Sequence, residues 1–270
     1  MKILVTIKRV PDPEQRPKIK GNELDLSGAS WVVNTFDEYA VETALRLLEN
    51  GETRERFGEI VVLTLGSKDA AQQLRFCLAM GADRAILIEA DETAIDADVT
   101  ARAIQAVVAT EKPDLVLMGK QAVDSDNSVV AQLLAGLLGW PQVTSAASIE
   151  TGDGHVVVKR EADSGVETKK VRLPALVTVD LRVVLSAGVK NHKTPDSFAY
   201  PEGKRYASPK GIMKAKQKEL KQMTLAELGV TARPRLKWVK IEAPPARKAG
   251  VKVESVQELL AKLAAAAKVI

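Results

Sequence analysis

The sequence predicts an α/β fold with a doubly wound, mostly parallel sheet, joined to an antiparallel strand group and a C-terminal arm suited to wrapping a partner. Short unbroken aliphatic runs recur at Ile3–Ile7, Ile60–Leu65, Ala85–Ile88 and Leu115–Met118. Such runs mark strands covered on both faces. Between them lie segments whose apolar residues fall three and four apart, as on helices that cover a sheet face. The rhythm then changes after Trp140-Pro141, where shorter segments alternate with glycine turns.

Each element follows in chain order. After the first strand, Thr35-Phe36-Asp37-Glu38 reads as a capping box opening a helix through Ala40, Ala44 and Leu47, because threonine and glutamate three apart satisfy each other's backbone donors. Further helical stripes pass through Val99, Ala103, Ile104, Val107 and Val108, and through Val130, Leu133, Leu134, Leu137 and Leu138. Segments 147–150, 156–161 and 168–173, separated by Gly152-Asp153-Gly154 and Ser164-Gly165, read as antiparallel strands, and Ala175–Val179 as another buried strand. Residues 186–211, rich in Pro, Gly and Lys, read as a long surface loop. Beyond Ile212 come a basic run, the pair Pro244-Pro245, and a helix opened by Ser255-Val256-Gln257-Glu258 with the stripe Val256, Leu259, Leu260 and Leu263. The predicted organisation is therefore a nucleotide-binding domain over 1–185, an inserted surface loop over 186–211 that is a candidate for partner recognition, and an arm with a helix over 212–270.

Composition narrows the chemistry. The charge balance of 39 basic and 35 acidic residues leaves a net +4, too small an excess to predict nucleic acid as the main partner. With two histidines and one cysteine, a zinc or iron–sulfur site is not expected. His155 and His192 fall in polar turns and read as bystanders, and Cys77, inside a helical pattern, as a core residue. No apolar stretch has the roughly 20 residues that cross a bilayer. The first residues carry neither a signal-peptide nor a transit pattern, so the expected location is cytoplasmic and the protein is not expected in a membrane. Redox chemistry would have to come from a bound organic cofactor. No G-x-G-x-x-G is present, and Met118-Gly119-Lys120-Gln121 lacks the upstream glycine and following Ser/Thr of a P-loop. The residues by themselves support a nucleotide-binding α/β domain with an appended arm.

Several blocks carry a more specific resemblance: the opening 3–10, Asn34-Thr35-Phe36-Asp37-Glu38-Tyr39-Ala40-Val41-Glu42, 78–84, 114–124, 158–167, 173–182, Arg205-Tyr206-Ala207, 212–216 and 244–254. In this order they resemble electron transfer flavoprotein beta subunits. The resemblance implies an adenine nucleotide alpha hydrolase-like fold and a heterodimer in which the alpha subunit holds most of an FAD, while the beta subunit cradles it and binds a structural AMP. It further implies a carrier, not an enzyme, that takes electrons from flavin dehydrogenases such as acyl-CoA dehydrogenases and passes them to an ETF-quinone oxidoreductase. The alternatives are a subunit of an electron-bifurcating flavoprotein and a non-redox nucleotide-binding regulatory module.

Carried over by resemblance, the cofactor-binding residues are Thr6, Asn34, Thr35, Phe36, Asp37, Leu65, and the stretch Gly119, Lys120, Gln121, Ala122, Val123, Asp124, Ser125, Asp126, Asn127, Ser128, Val129 and Val130. Predicted helix N-termini and strand ends suit a phosphate and an adenine edge respectively. Asp124 and Asp126 read as helix N-caps, since a carboxylate beside a phosphate repels it. Phe36 matches an aromatic position that approaches the flavin in the family; the alternative is a staple residue packing on its own helix. Where the family has Asn-Gln-Thr-Gly, this chain has Ser128-Val129-Val130-Ala131, which removes side-chain donors for the phosphate; the bifurcating signature is absent there too. Pro13 stands near where many members place an aromatic residue close to the flavin, and residues 183–204 replace a short link in the region through which the family docks dehydrogenases.

Overall fold

The computed structural model describes residues 1–15, 18–21, 23–236, 238–243, 245 and 249–267. Pro244 and Ala246-Arg247-Lys248, part of the proline-containing block, therefore lie outside the described residues. In chain order the strands are β1 (Lys2–Thr6), β2 (Arg9–Pro11), β3 (Lys18–Lys20), β4 (Glu23–Asp25), β5 (Trp31–Val33), β6 (Glu59–Gly66), β7 (Arg84–Glu89), β8 (Leu115–Gly119), β9 (Gln142–Gly152), β10 (His155–Ala162), β11 (Gly165–Arg172), β12 (Ala175–Val179), β13 (Val189–Lys190) and β14 (Leu220–Thr224). The α-helices are α1 (Thr35–Leu48), α2 (Ala71–Met80), α3 (Ala97–Glu111), α4 (Val130–Leu138), α5 (Pro209–Ala215) and α6 (Val256–Lys262).

The aliphatic runs form the centre of one sheet, ordered β11-β10-β9-β12-β8-β1-β6-β7-β14. Pairing is parallel from β9 and β12 across to β7 and β14, and antiparallel at β9/β10 and β10/β11. Because successive strand residues face opposite ways, Ile3 and Val5 of β1 enter the core under α1 and α2, while Leu4 joins the core under α3 and α4. This is the doubly wound α/β arrangement that the sequence predicts. Cys77 lies fully buried in the first of these cores.

The structure corrects several local expectations. The capping box at Thr35 is not made: Asn34 precedes α1, and no side chain caps the helix. The α4 stripe is rotated, with Ala131, Leu134 and Ala135 buried while Leu133 and Leu137 are exposed.

The expected surface loop after Arg182 is tied to α1 by a buried arginine. Arg46, 1% exposed, pairs through Nε with Glu42 at 2.7 Å and donates to the carbonyls of Val184, Leu185, Pro201 and Gly203 at 2.7–3.1 Å. The Tyr200 ring covers its guanidinium at 4.7 Å. Asn191 closes the arrangement from the loop side, donating to the carbonyls of Arg46 and Glu49 at 2.7 Å each. A buried charge demands such complete pairing, since an unpartnered guanidinium would be strongly destabilising.

The described chain divides into a large unit, 1–17 with 26–238, and a small one, 18–25 with 239–270. The large unit runs past residue 212, because α5 packs on α2 and β14 adds a parallel edge strand on β7. In the small unit β3 and β4 pair antiparallel, and Ser255 Oγ caps α6 by accepting from Glu258 N at 3.1 Å.

Candidate functional site

Strand order creates the crevice. From β1 the chain builds outward through β6 and β7, then returns through α3 to place β8 on the opposite flank of β1. At such a reversal the neighbouring connections part, leaving an opening at the C-terminal strand ends. Thr6 ends β1, Gly119 ends β8, and Leu65 lies near the end of β6, so the residues singled out from the sequence converge there.

The first turn of α1 and the loop after β8 are locked together by side chains. Asn34, 1% exposed, donates Nδ2 to the Gln121 carbonyl at 2.8 Å and accepts at Oδ1 from Val123 N at 3.0 Å. Asp37 accepts from Lys8 N at 2.8 Å and Gly119 N at 3.0 Å. Burial pushes the Asp37 carboxyl up to about 7, against the lowering effect of those hydrogen bonds. Gly119 must lack a side chain, since a Cβ would stand 2.4 Å from Asp37 Oδ1 and 2.6 Å from Phe36 Cβ. Lys120 reaches back with Nζ 5.1 Å from the centre of the Phe36 ring and 2.8 Å from Asp180 Oδ2. Burial would raise the Asp180 carboxyl, but Lys120 and Arg182 outweigh it and hold the group down at about 2.

The loop between β8 and α4 departs from expectation. Neither Asp124 nor Asp126 caps the helix: Asp124 pairs with Lys8 Nζ at 2.7 Å, and Asp126 accepts from Gln121 Nε2 at 2.7 Å. Val129 occupies the position before α4 and supplies no side-chain cap. Asp126 and Ser128 both take positive φ, near 50°, a conformation of αL type that re-aims successive amides. Among the described residues, the backbone N–H groups of Ser128, Val129 and Val130 have no acceptor.

This arrangement suits an anionic nucleotide. The aliphatic side chains Val129 and Val130 offer no donors, yet their amides stand at an uncapped helix N-terminus, where the partial positive charge favours phosphate. The acidic neighbours are already paired, Asp124 with Lys8 and Asp126 with Gln121. Asn34 and Asp37 have their side chains committed to protein backbone. Lys8 and Asp180 escaped the sequence reading, because a lone charge after a strand carries no signal of its distant partner. Among the described residues no cluster of His, Cys, Asp or Glu could hold a metal, and no helix is long and apolar enough to cross a membrane.

Residues 23–228 match the family described as electron transfer flavoprotein domain. A protein of Bradyrhizobium diazoefficiens described as electron transfer flavoprotein subunit beta is 40% identical over 265 residues, covering 97% of both chains. The mitochondrial electron transfer flavoprotein subunit beta of Oryza sativa subsp. japonica is 38% identical over 275 residues and the whole of both chains. The Homo sapiens electron transfer flavoprotein subunit beta is 36% identical over 268 residues, 97% of this chain and 96% of the relative. The chain belongs to the electron transfer flavoprotein family and has the role of its beta subunit, an electron carrier rather than an enzyme.

Proposed function

We propose that this chain works as half of a cytoplasmic heterodimer. Its partner is the alpha subunit, which holds most of the FAD; electrons enter from flavin dehydrogenases such as acyl-CoA dehydrogenases and leave to an ETF-quinone oxidoreductase. FAD supplies the electron-transfer chemistry when bound. The chain's own residues position and shield: Phe36, backed by Lys120, forms an aromatic wall at the crevice, and the 119–130 loop holds AMP through backbone amides.

The observation that carries this reading is the set of free amides at Ser128, Val129 and Val130, beside Asp124, which is paired with Lys8, and Asp126, which is hydrogen-bonded to Gln121. The departure from the family's side-chain donors therefore leaves AMP binding possible through the main chain. The 186–211 segment and the helix that follows it supply the docking face for dehydrogenases, where Tyr206, Ile212 and Met213 are exposed beside Lys210, Lys214 and Lys216.

The test is coexpression with the larger subunit, followed by mass spectrometry of the nucleotides released from the purified complex. The expected content is a single FAD with AMP. A second FAD would favour the bifurcating type, and a chain that never associates with a flavin-bearing partner would overturn the proposal.

A further inference from the structure

The docking face contains an internal puzzle. Tyr206 is 85% exposed on the chain between β13 and α5, which forms no helix or strand, and Met213 is 72% exposed on the short α5 that follows. Such a segment needs external fixation to hold one shape, since each free residue would otherwise lose on the order of 1 kcal/mol of backbone entropy on binding. Two anchors are visible. On the C-terminal side, Arg75 of α2 donates to the carbonyls of Ala215 and Lys218 at 2.6 and 2.7 Å. On the N-terminal side, fixation depends on α1.

We propose that Arg46 is a positioning residue for the dehydrogenase-docking segment 204–216, an inference that rests on the docking role proposed above. Arg46 grips both ends of the preceding loop, at Val184 and Leu185 on entry and at Pro201 and Gly203 on exit. Its carboxylate partner is shared: Glu42 accepts from Arg46 Nε and from Arg205 Nε, each at 2.7 Å. Arg205 also pairs with Glu49, and Lys204 with Glu38. Glu38 and Glu42 of α1, with Glu49 just past its end, thus hold the two residues immediately before Tyr206, and Arg46 sets where the loop exits and orients the Glu42 carboxylate. Without Arg46, four loop carbonyls lose their donor, and Arg205 gains sole claim on a Glu42 no longer held in place. The α5 side keeps its Arg75 anchor, so the docking face loosens at one end without dissolving.

The test uses the complete heterodimer with Arg46→Met, and with Asn191→Ala, which loosens the same loop without leaving a buried charge unpaired. Steady-state transfer from a dehydrogenase is measured together with flavin content and hydrogen exchange. Arg46→Met should raise KM for the dehydrogenase about tenfold, the cost of re-ordering two or three long side chains, with kcat and flavin content unchanged. Exchange should rise over 186–206 but not over 119–130. Asn191→Ala should change KM in the same direction by a smaller factor, and it carries the test if Arg46→Met fails to fold. A merely structural role would lower the melting temperature and leave KM unchanged, and that result with raised exchange overturns the inference. Tyr206→Ala and Met213→Ala separate the two proposals: if neither raises KM, the docking role itself falls; if they do and the loop variants do not, only the positioning role falls.

Discussion

Replacing Asn34 distinguishes two roles that the same residue type can play before a helix. An asparagine acting as an N-cap can be exchanged for serine or aspartate at little cost, and for alanine at about 1 kcal/mol. Here the side chain spans instead from α1 to the loop after β8, giving to Gln121 and taking from Val123. Removing it deletes two hydrogen bonds at a site 1% exposed and leaves a carbonyl and an amide unpaired. At about 1–2 kcal/mol for each unpaired group, Asn34→Ala should cost about 2–4 kcal/mol. Serine is too short to reach both backbone groups. Aspartate keeps the Val123 contact but turns an oxygen toward the Gln121 carbonyl, close to the buried Asp37 carboxyl. Both replacements should therefore cost about as much as alanine. Urea unfolding of the purified protein measures the loss, and AMP content reports whether the loop keeps its shape. Asn34→Ser or Asn34→Asp within about 0.5 kcal/mol of the parent, with AMP retained, would refute the bridging role.

Other perturbations address the same neighbourhood and the core. Gly119→Ala would drive a methyl group into Asp37 and the Phe36 backbone; a loss of about 1–3 kcal/mol in urea unfolding is expected from such overpacking. Asp180, held below its unfolded pKa, contributes stability that is full above about pH 4 and is lost as pH falls toward 2. Comparing Asp180→Asn with the parent at pH 6 and pH 3 should show the difference shrinking by on the order of 1 kcal/mol, after allowing for partial solvent screening; a constant difference would contradict the sign. Burial raises the Cys77 thiol well above its ordinary value, so iodoacetamide should label it only in denaturant, as intact-mass measurement would reveal.

The parts of the fold legible in the sequence were those in which burial is complete. β1, β6, β7, β8 and β12 carry solid aliphatic runs because both faces are covered, and the α3 stripe through Val99, Ala103, Ile104 and Val107 is buried as its spacing predicts. Illegible elements were those whose apolar content is divided between partners. Leu220-Lys221-Gln222-Met223-Thr224 forms an edge strand with largely exposed side chains, and nothing in its composition separates it from a polar loop. On α4, five aliphatic positions fit more than one helical face, and only proximity to the sheet chose Ala131, Leu134 and Ala135. Arg46 carried no signal in the sequence, since its acceptors are main-chain carbonyls about 140 to 160 residues away. The contacts of the residues carried over by resemblance were not legible: Asn34 and Asp37 face protein backbone, and their acceptors and donors lie in segments that local sequence cannot pair.

The late arrival of β14 matters during synthesis. Until the ribosome has delivered residues beyond Thr224, the open flank of β7 presents unpaired main-chain groups on a strand reading Arg84-Ala85-Ile86-Leu87-Ile88-Glu89. An exposed apolar margin of that kind templates contact between nascent chains. Truncation or translational stalling before residue 220 should therefore yield aggregation-prone fragments even though most of the sheet has already been made. Chaperone occupancy should likewise fall as the final strand clears the exit tunnel.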